Sequence, residues 1–577
     1  VAGADAETVW TSPDTATVTE ALRSLGASYT VVLQRPSTLH RIWLDSADWR
    51  LLRAGLALVV VRPAGGRRAD AAGTSATSGT SGVGSETTLE LHVPDDVPLS
   101  VPVDRGPWPR RVDGLPEQLR TRLGPVLGVR ALLPVVEASG SVVRGSLLDA
   151  EGKTVVRLVH ERPPTPAGTK VRLPARLHLQ PLRGYRSDAA RAARILGDAG
   201  LVEGEISGFA TALRAIGPDP LAARAPVVTG DLPATVAVAR VLLAFLDEME
   251  QTVEGTVADI DIEFLHEFRV AVRRSRSAVK LLGDLLPPAL AEWAAPHLKW
   301  LGDLTTPMRD LDVHLEELPD LTRRLTIATP ADLDPLARHL ARSRTGERRA
   351  LARGLRSARF TRFRADWRAR LEQVAEWDGS SFVGPNAADL AVERLARADR
   401  RVLRPGSRIT DESPAYDLHA LRKRCKELRY LLEIFSPVLD PGDARSAVKE
   451  LKALQDVLGT FQDTEVQREA IYALAEQLMG RPDTSARTLL AMGEIAARLQ
   501  EDQNAARSDF AERFERFAQP SVHRRMTRVR RPEAHSGTED PSPAGDPATS
   551  AASYRPPKAP RSAKRARSPK TVATPGA

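Results

Sequence analysis

The chain has 577 residues, 42% hydrophobic and only 5% aromatic, with a formal net charge of +8 and a single cysteine, Cys425. That length supports two or three domains with cores built on Ala, Leu and Val. One thiol excludes an internal disulfide or a cysteine-rich metal centre, and no apolar run is long enough to span a bilayer. The opening stretch VAGADAETVW has neither the basic nor the apolar part of a secretory leader. The expectation is a cytoplasmic protein with no membrane contact.

Residues 1–185 read as strands. SYTVVLQ, LHRIWLD, LALVVVRP, TLELHVP, GKTVVRLVHERP and ARLHLQPL are short apolar or alternating runs punctuated by Gly, Pro and Asp. Within them Arg41, Arg53 and Arg62 read as surface charges, with phosphate contact as the alternative. Residues 64–88 are rich in Gly, Ser, Thr and Ala and predict a flexible loop. A helical connector over 186–229 begins with DAARAARILGDAGL. Residues 230–520 then read as long helices rich in Ala, Leu, Arg and Glu. The Arg-rich run 336–371 places Arg342, Arg349, Arg353 and Arg356 on one helix face. Residues 532–577 lack apolar periodicity and predict a disordered basic tail that binds polyanions only nonspecifically.

The helical half repeats. FLHEFRVAVRRSRSAVKLL from Phe264 aligns with DLHALRKRCKELRYLLEIF from Asp417, and LKWLGDLTTPMRDLD aligns with LKALQDVLGTFQDTE, at a constant offset of 153. The match runs from 264 to 312 without a gap, which predicts two copies of one unit about a pseudo-two-fold axis.

Each copy carries a His and three cations at i, i+3, i+7 and i+10. These are His266, Arg269, Arg273 and Arg276, then His419, Arg422, Lys426 and Arg429. At 100° per residue they share an arc of roughly 80° and form a row about 15 Å long. Lys280 extends the first row and Arg274 flanks it; Lys423 flanks the second. Lys299 and Lys452 occupy matched positions further on. The opposite faces are apolar: Phe268, Ala271, Val272, Val279 and Leu282, then Leu421, Cys425, Leu428, Leu432 and Phe435. Like charges held together twice call for an anion. Arg forks and Lys point charges match a row of phosphates. Asp303, Asp310, Asp456 and Asp463 are the alternative counter-charges. Neither His has a ligand partner at i+3 or i+4, so no metal is expected there. Ligand contact and helix support remain equal roles for both.

The two His-x-x-Arg-x-x-x-(Arg/Lys)-x-x-Arg helices, each followed by an Asp at +44 (Asp310, Asp463), resemble the CHAD domain, the conserved-histidine α-helical domain, over roughly 230–520. The resemblance implies two pseudo-symmetric helical bundles, binding of inorganic polyphosphate, and in some members association with polyphosphate granules. One departure is Thr306, where the second copy has Gly459. More weakly, RIWLDSADWRLLRAGLALVVVRP, with Asp45, Ser46, Leu51 and Gly55, resembles the CYTH family of triphosphate-binding β-tunnels, and LHLQPLRGY resembles its exit strand. That family's Glu-x-Glu-x-Lys is absent from residues 1–43. The exit strand carries His178 and Gln180 instead of carboxylates, which removes hard oxygen ligands for a metal.

The fold expected is therefore α+β: an antiparallel β-barrel or tunnel-like domain followed by an all-α domain of two bundles. The function expected is polyphosphate binding without catalysis or cofactor, through His266, Arg269, Arg273, Arg274, Arg276, Lys280, Lys299, His419, Arg422, Lys423, Lys426, Arg429 and Lys452. The alternatives are a metal-dependent triphosphatase or polyphosphatase and a nonspecific nucleic-acid binder. Against the last, no helix-turn-helix or RNA-binding motif is recognisable, and few aromatics interleave the rows for base stacking.

Overall fold

The computed structural model describes residues 7–64, 87–94, 96–222, 227–376 and 384–529. All of the 64–88 loop except its ends, and the tail 532–577, lie outside the described residues. No helix among the described residues is long and apolar enough to cross a membrane.

The first half is one antiparallel sheet. Its strands are β1 (Thr8–Ser12), β2 (Thr30–Leu33), β3 (Ser37–Asp45), β4 (Ala57–Ala64), β5 (Thr88–His92), β6 (Leu99–Pro102), β7 (Leu133–Leu148), β8 (Thr154–Glu161), β9 (Thr165–Pro166), β10 (Ala175–Pro181) and β11 (Val202–Gly204). Their order is β11-β1-β10-β8-β7-β3-β4-β5-β6, with β2 and β9 on β7. The sheet curls as a half-barrel. Strand alternation decides what faces its hollow. On β10, Ala175, Leu177 and Leu179 pack on helices α1 (Thr15–Leu25) and α4 (Arg186–Asp198), while His178 and Gln180 turn inward. The segment expected as a connector is built into this half: α4 covers the sheet and β11 pairs with β1.

The Asp45 motif is a local brace. Asp45 is fully buried, and its carboxylate accepts from the amides of Ser46 (2.7 Å), Leu51 (2.9 Å) and Leu52 (2.9 Å). It thereby anchors the short helix α2 (Arg50–Arg53). Leu51 is buried in the core beside α3 (Glu117–Leu127), and Gly55 takes φ +73°, a value glycine adopts without strain.

After α5 (Phe209–Ile216) the chain is helical: α6 (Ala234–Ala258), α7 (Ile262–Leu282), α8 (Pro288–Arg323), α9 (Asp334–Leu355), α10 (Ala358–Ala375), α11 (Ala387–Gly406), α12 (Ala415–Phe435), α13 (Pro441–Leu478), α14 (Ala486–Phe517) and α15 (Pro520–Met526). The starts of α6, α7 and α8 recur 153 residues later as the starts of α11, α12 and α13. The pseudo-two-fold passes between the first turns of α6 and α11. There the amide of Ala234 donates to Pro385 O (3.1 Å), and that of Ala387 donates to Leu232 O (2.8 Å), a reciprocal pair at the same offset. One continuous core of Leu, Ala and Phe joins both copies, worth roughly 25 cal/mol per Å² of apolar surface removed from water.

The two halves meet at a buried ionic joint. Arg130, 1% exposed, pairs with Glu267 and, at 3.4 Å, with Asp261. Asp261 is the N-cap of α7: it accepts from Glu263 N (3.0 Å) and Phe264 N (3.3 Å), and its other oxygen accepts from Ala131 N (2.9 Å). The helix carrying the first cationic row is thus capped and held from the sheet side.

Candidate anion-binding cleft

Helical periodicity places the rows as their sequence spacing requires. On α7 Phe268, Ala271, Val272 and Leu282 are buried and Val279 packs against the core; on α12 Leu421, Cys425, Leu428, Leu432 and Phe435 are buried. Burial pushes the Cys425 thiol up to about 12, so it stays protonated and inert.

The two helices are tied by reciprocal ion pairs. Arg274 Nε lies 3.4 Å from Glu433, and Lys280 Nζ lies 2.7 Å from Glu427. Each position in one pair is 153 from a position in the other, so the ties are pseudo-symmetric with the charges all reversed. The third members match too: Glu248 lies 3.4 Å from Arg274, and Arg401 lies 3.5 Å from Glu427. Two of the residues read as ligand cations, Arg274 and Lys280, therefore have carboxylate partners across the interface.

Between α7, α12 and α13 opens a cleft of about 650 Å³. Its wall includes His266 and Arg273 from the first row, the flanking Arg274, and Arg422, Lys426 and Arg429 from the second. Two members of the first row and three of the second thus share one cavity. Arg422 is paired with Asp463 (2.8 Å) and Arg429 with Glu433 (2.7 Å). Arg273 and Lys426, which occupy the same place in their repeats, have no carboxylate partner among the described residues. Burial, then Arg422 and Arg273, lowers Lys426 to about 8. Burial and then Arg309 also lower His266, which favours neutral imidazole in the free protein.

The other predicted residues lie around this cleft. Arg269 turns to α8, where it donates to Thr305 Oγ1 (3.0 Å) and Thr306 Oγ1 (2.8 Å). Arg276, Lys280 and Lys299 line an adjoining recess that shares Arg273, and Lys299 pairs with Asp303 at 2.6 Å. His419 lies 2.7 Å from Glu465 and edge-on to Phe461. Lys423 and Lys452 are exposed and line neither recess. Of the Arg-rich run, Arg342 pairs with Asp483 (3.6 Å). Gln455, Thr460 and Gln467, which add hydrogen-bonding groups to the cleft, went unread because polar residues on a long helix carry no signal of their own.

The sheet's hollow, about 480 Å³, holds a second charged group. Arg41 is a correction to the surface reading: its side chain is 15% exposed and pairs with Glu161. Glu161 is also held by His178 (3.1 Å) and Arg176 (3.4 Å), and these three neighbours keep its carboxyl well below the usual range despite burial. Glu7 and Glu90 line the same hollow. These carboxylates come from separate segments, which is why no Glu-x-Glu spacing announced them. A divalent metal does not fit: Glu161 is saturated by cations, and no group of three or more His, Cys, Asp or Glu among the described residues is arranged to hold one.

Comparison with known proteins agrees with the helical half. The family model of the CHAD domain matches residues 240–472. The uncharacterised protein Rv2226 of Mycobacterium tuberculosis is 29% identical over 260 residues, covering 42% of this chain and 47% of that protein. The chain thus spans about half the length of the curated relatives it matches. The CHAD domain from the plant Ricinus communis is 26% identical with a TM-score of 0.44, covering 53% of this chain and 99% of its own. HpAC1 from Hippeastrum, described as a putative adenylyl cyclase with a dominant triphosphatase activity, is 14% identical with a TM-score of 0.23, covering 38% and 99%. The repeat, the paired rows and the family match agree on one assignment: residues 240–472 of this chain form a CHAD domain.

Proposed function

We propose that the chain binds inorganic polyphosphate in the α7–α12–α13 cleft. The observation that carries this reading is the convergence of both cationic rows on one cavity, with Arg273 and Lys426 left unpaired beside Arg422. Like charges at this spacing raise the energy of the free protein, and a linear polyanion relieves it. The saturated carboxylate in the hollow supports a non-catalytic, CYTH-like scaffold for the sheet half. A polyphosphate ligand also supports a place on cytoplasmic polyphosphate granules.

The test is a titration of the full chain with long-chain polyphosphate. Arg273→Glu with Arg276→Glu should weaken binding far more than Arg565→Glu with Arg567→Glu in the tail. Equal effects, or wild-type binding by the row variant, reject the cleft as the site.

A further inference from the structure

Beside the cleft lies an apolar recess of about 240 Å³, walled by Val241, Ala244 and Phe245 of α6 and by Tyr430 and Ile434 of α12. The repeat provides an internal control for it. At +153 the three α6 positions are Arg394, Arg397 and Ala398 on α11. Arg394 pairs there with Asp284, and Arg397 with Glu393 at 2.8 Å. An apolar wall at this place belongs to the first copy alone, so pseudo-symmetric packing does not account for it.

The recess adjoins the cleft: Arg274, Tyr430 and Glu433 line both. Its rim is defined. Arg274 is held between Glu248 and Glu433, 3.4 Å from each, and lies 5.9 Å over the Phe245 ring. Glu433 also pairs with Arg429 at 2.7 Å, so the rim is near charge balance, and its ionised carboxylates only accept hydrogen bonds. The occupant that suits all three surfaces is a flat apolar ring with N–H donors, joined to a chain of phosphates. Roughly 150 Å³ of apolar cavity admits benzene, so this recess has room for a fused two-ring system.

We propose that the recess takes the base of a nucleoside 5′-polyphosphate, whose phosphates run past Arg274 into the cleft toward Arg273 and Arg429. The inference rests on the cleft being a phosphate site. It is tested on the full chain by competing ATP, GTP and tripolyphosphate, each with three phosphates, against labelled long-chain polyphosphate at fixed salt. At least one nucleotide should bind about tenfold more tightly than tripolyphosphate, the scale of stacking one base. Ala244→Trp, which fills the recess, should bring that nucleotide to parity with tripolyphosphate and leave long-chain polyphosphate binding unchanged. Should that variant fold poorly, Phe245→Ala, at a residue that lines the recess and not the cleft, should selectively lower nucleotide affinity. Nucleotides no tighter than tripolyphosphate in the wild type, or an advantage that survives both variants, would overturn the inference while the polyphosphate reading stands. Failure of long-chain polyphosphate itself to bind overturns both.

Discussion

The two copies of the helical unit keep the same helix starts and reverse the charges that join them. Glu248, Arg274 and Glu433 form a negative–positive–negative set; at the pseudo-symmetric place Arg401, Glu427 and Lys280 form its inverse. The leading arginines also diverge. Arg269 is bound to Thr305 and Thr306, while Arg422 lies near Gly459 and pairs with Asp463. Of the two row helices only α7 has a side-chain cap, Asp261, which Arg130 and Ala131 hold from the sheet half; α12 has Pro414 at its N-cap and no side-chain cap. Backbone geometry has thus stayed common to the copies while their electrostatics separated. The cleft between them takes the permanently charged Arg273 from one copy and, at the matching position, the titratable Lys426 from the other.

The largest effect is expected from Arg130→Met. It strips the buried partner from Glu267 and Asp261 on the first copy, and should cost about 3–5 kcal/mol of stability in chemical denaturation. Hydrogen exchange should rise at the start of α7 and not at the start of α12. Adding Glu267→Gln should recover part of the loss. Next in size is charge reversal at one residue of each row, Arg273→Glu with Arg422→Glu. Polyphosphate affinity should fall roughly a hundredfold at low salt, and the slope of log affinity against log salt should become shallower, since fewer counterions are released.

The matched pair Arg273 and Lys426 separates by pH. Lys426, at about 8 in the free protein, loses its proton as pH rises from 7 to 9, whereas Arg273 does not. Affinity should therefore decline over that window, with proton uptake on binding, because an adjacent anion restores the ammonium. Lys426→Arg should flatten the profile; an unchanged profile would remove Lys426 from the site. Smallest is the inter-helix tie. Lys280 is largely exposed, so Lys280→Glu should cost only about 0.2–1 kcal/mol, and Glu427→Lys in the same chain should restore it.

Much of this was legible in the sequence where the signal is local or periodic. The row spacing, the apolar faces of α7 and α12 and the offset of 153 are properties of single helices and of a duplicated unit. The Asp45–Leu51–Gly55 brace is local as well, since its hydrogen bonds all lie between Asp45 and Leu52. The rest depends on contacts between distant segments. Glu433 and Glu427 meet Arg274 and Lys280 only when the copies pack, so these cations looked free. Arg41 looked like a surface charge because only the curling of the sheet carries it against Glu161. Glu267, the lone acid in the stretch 266–280, is matched by Arg130 from the other half of the chain.

The measurement closest to the central claim is a binding titration of the full chain with polyphosphates of graded length at two salt concentrations. Affinity should climb with length until the chain spans both rows and then level off, and at every length it should fall steeply with salt. Binding that is weak at all lengths, or indifferent to salt, would contradict a shared cationic cleft.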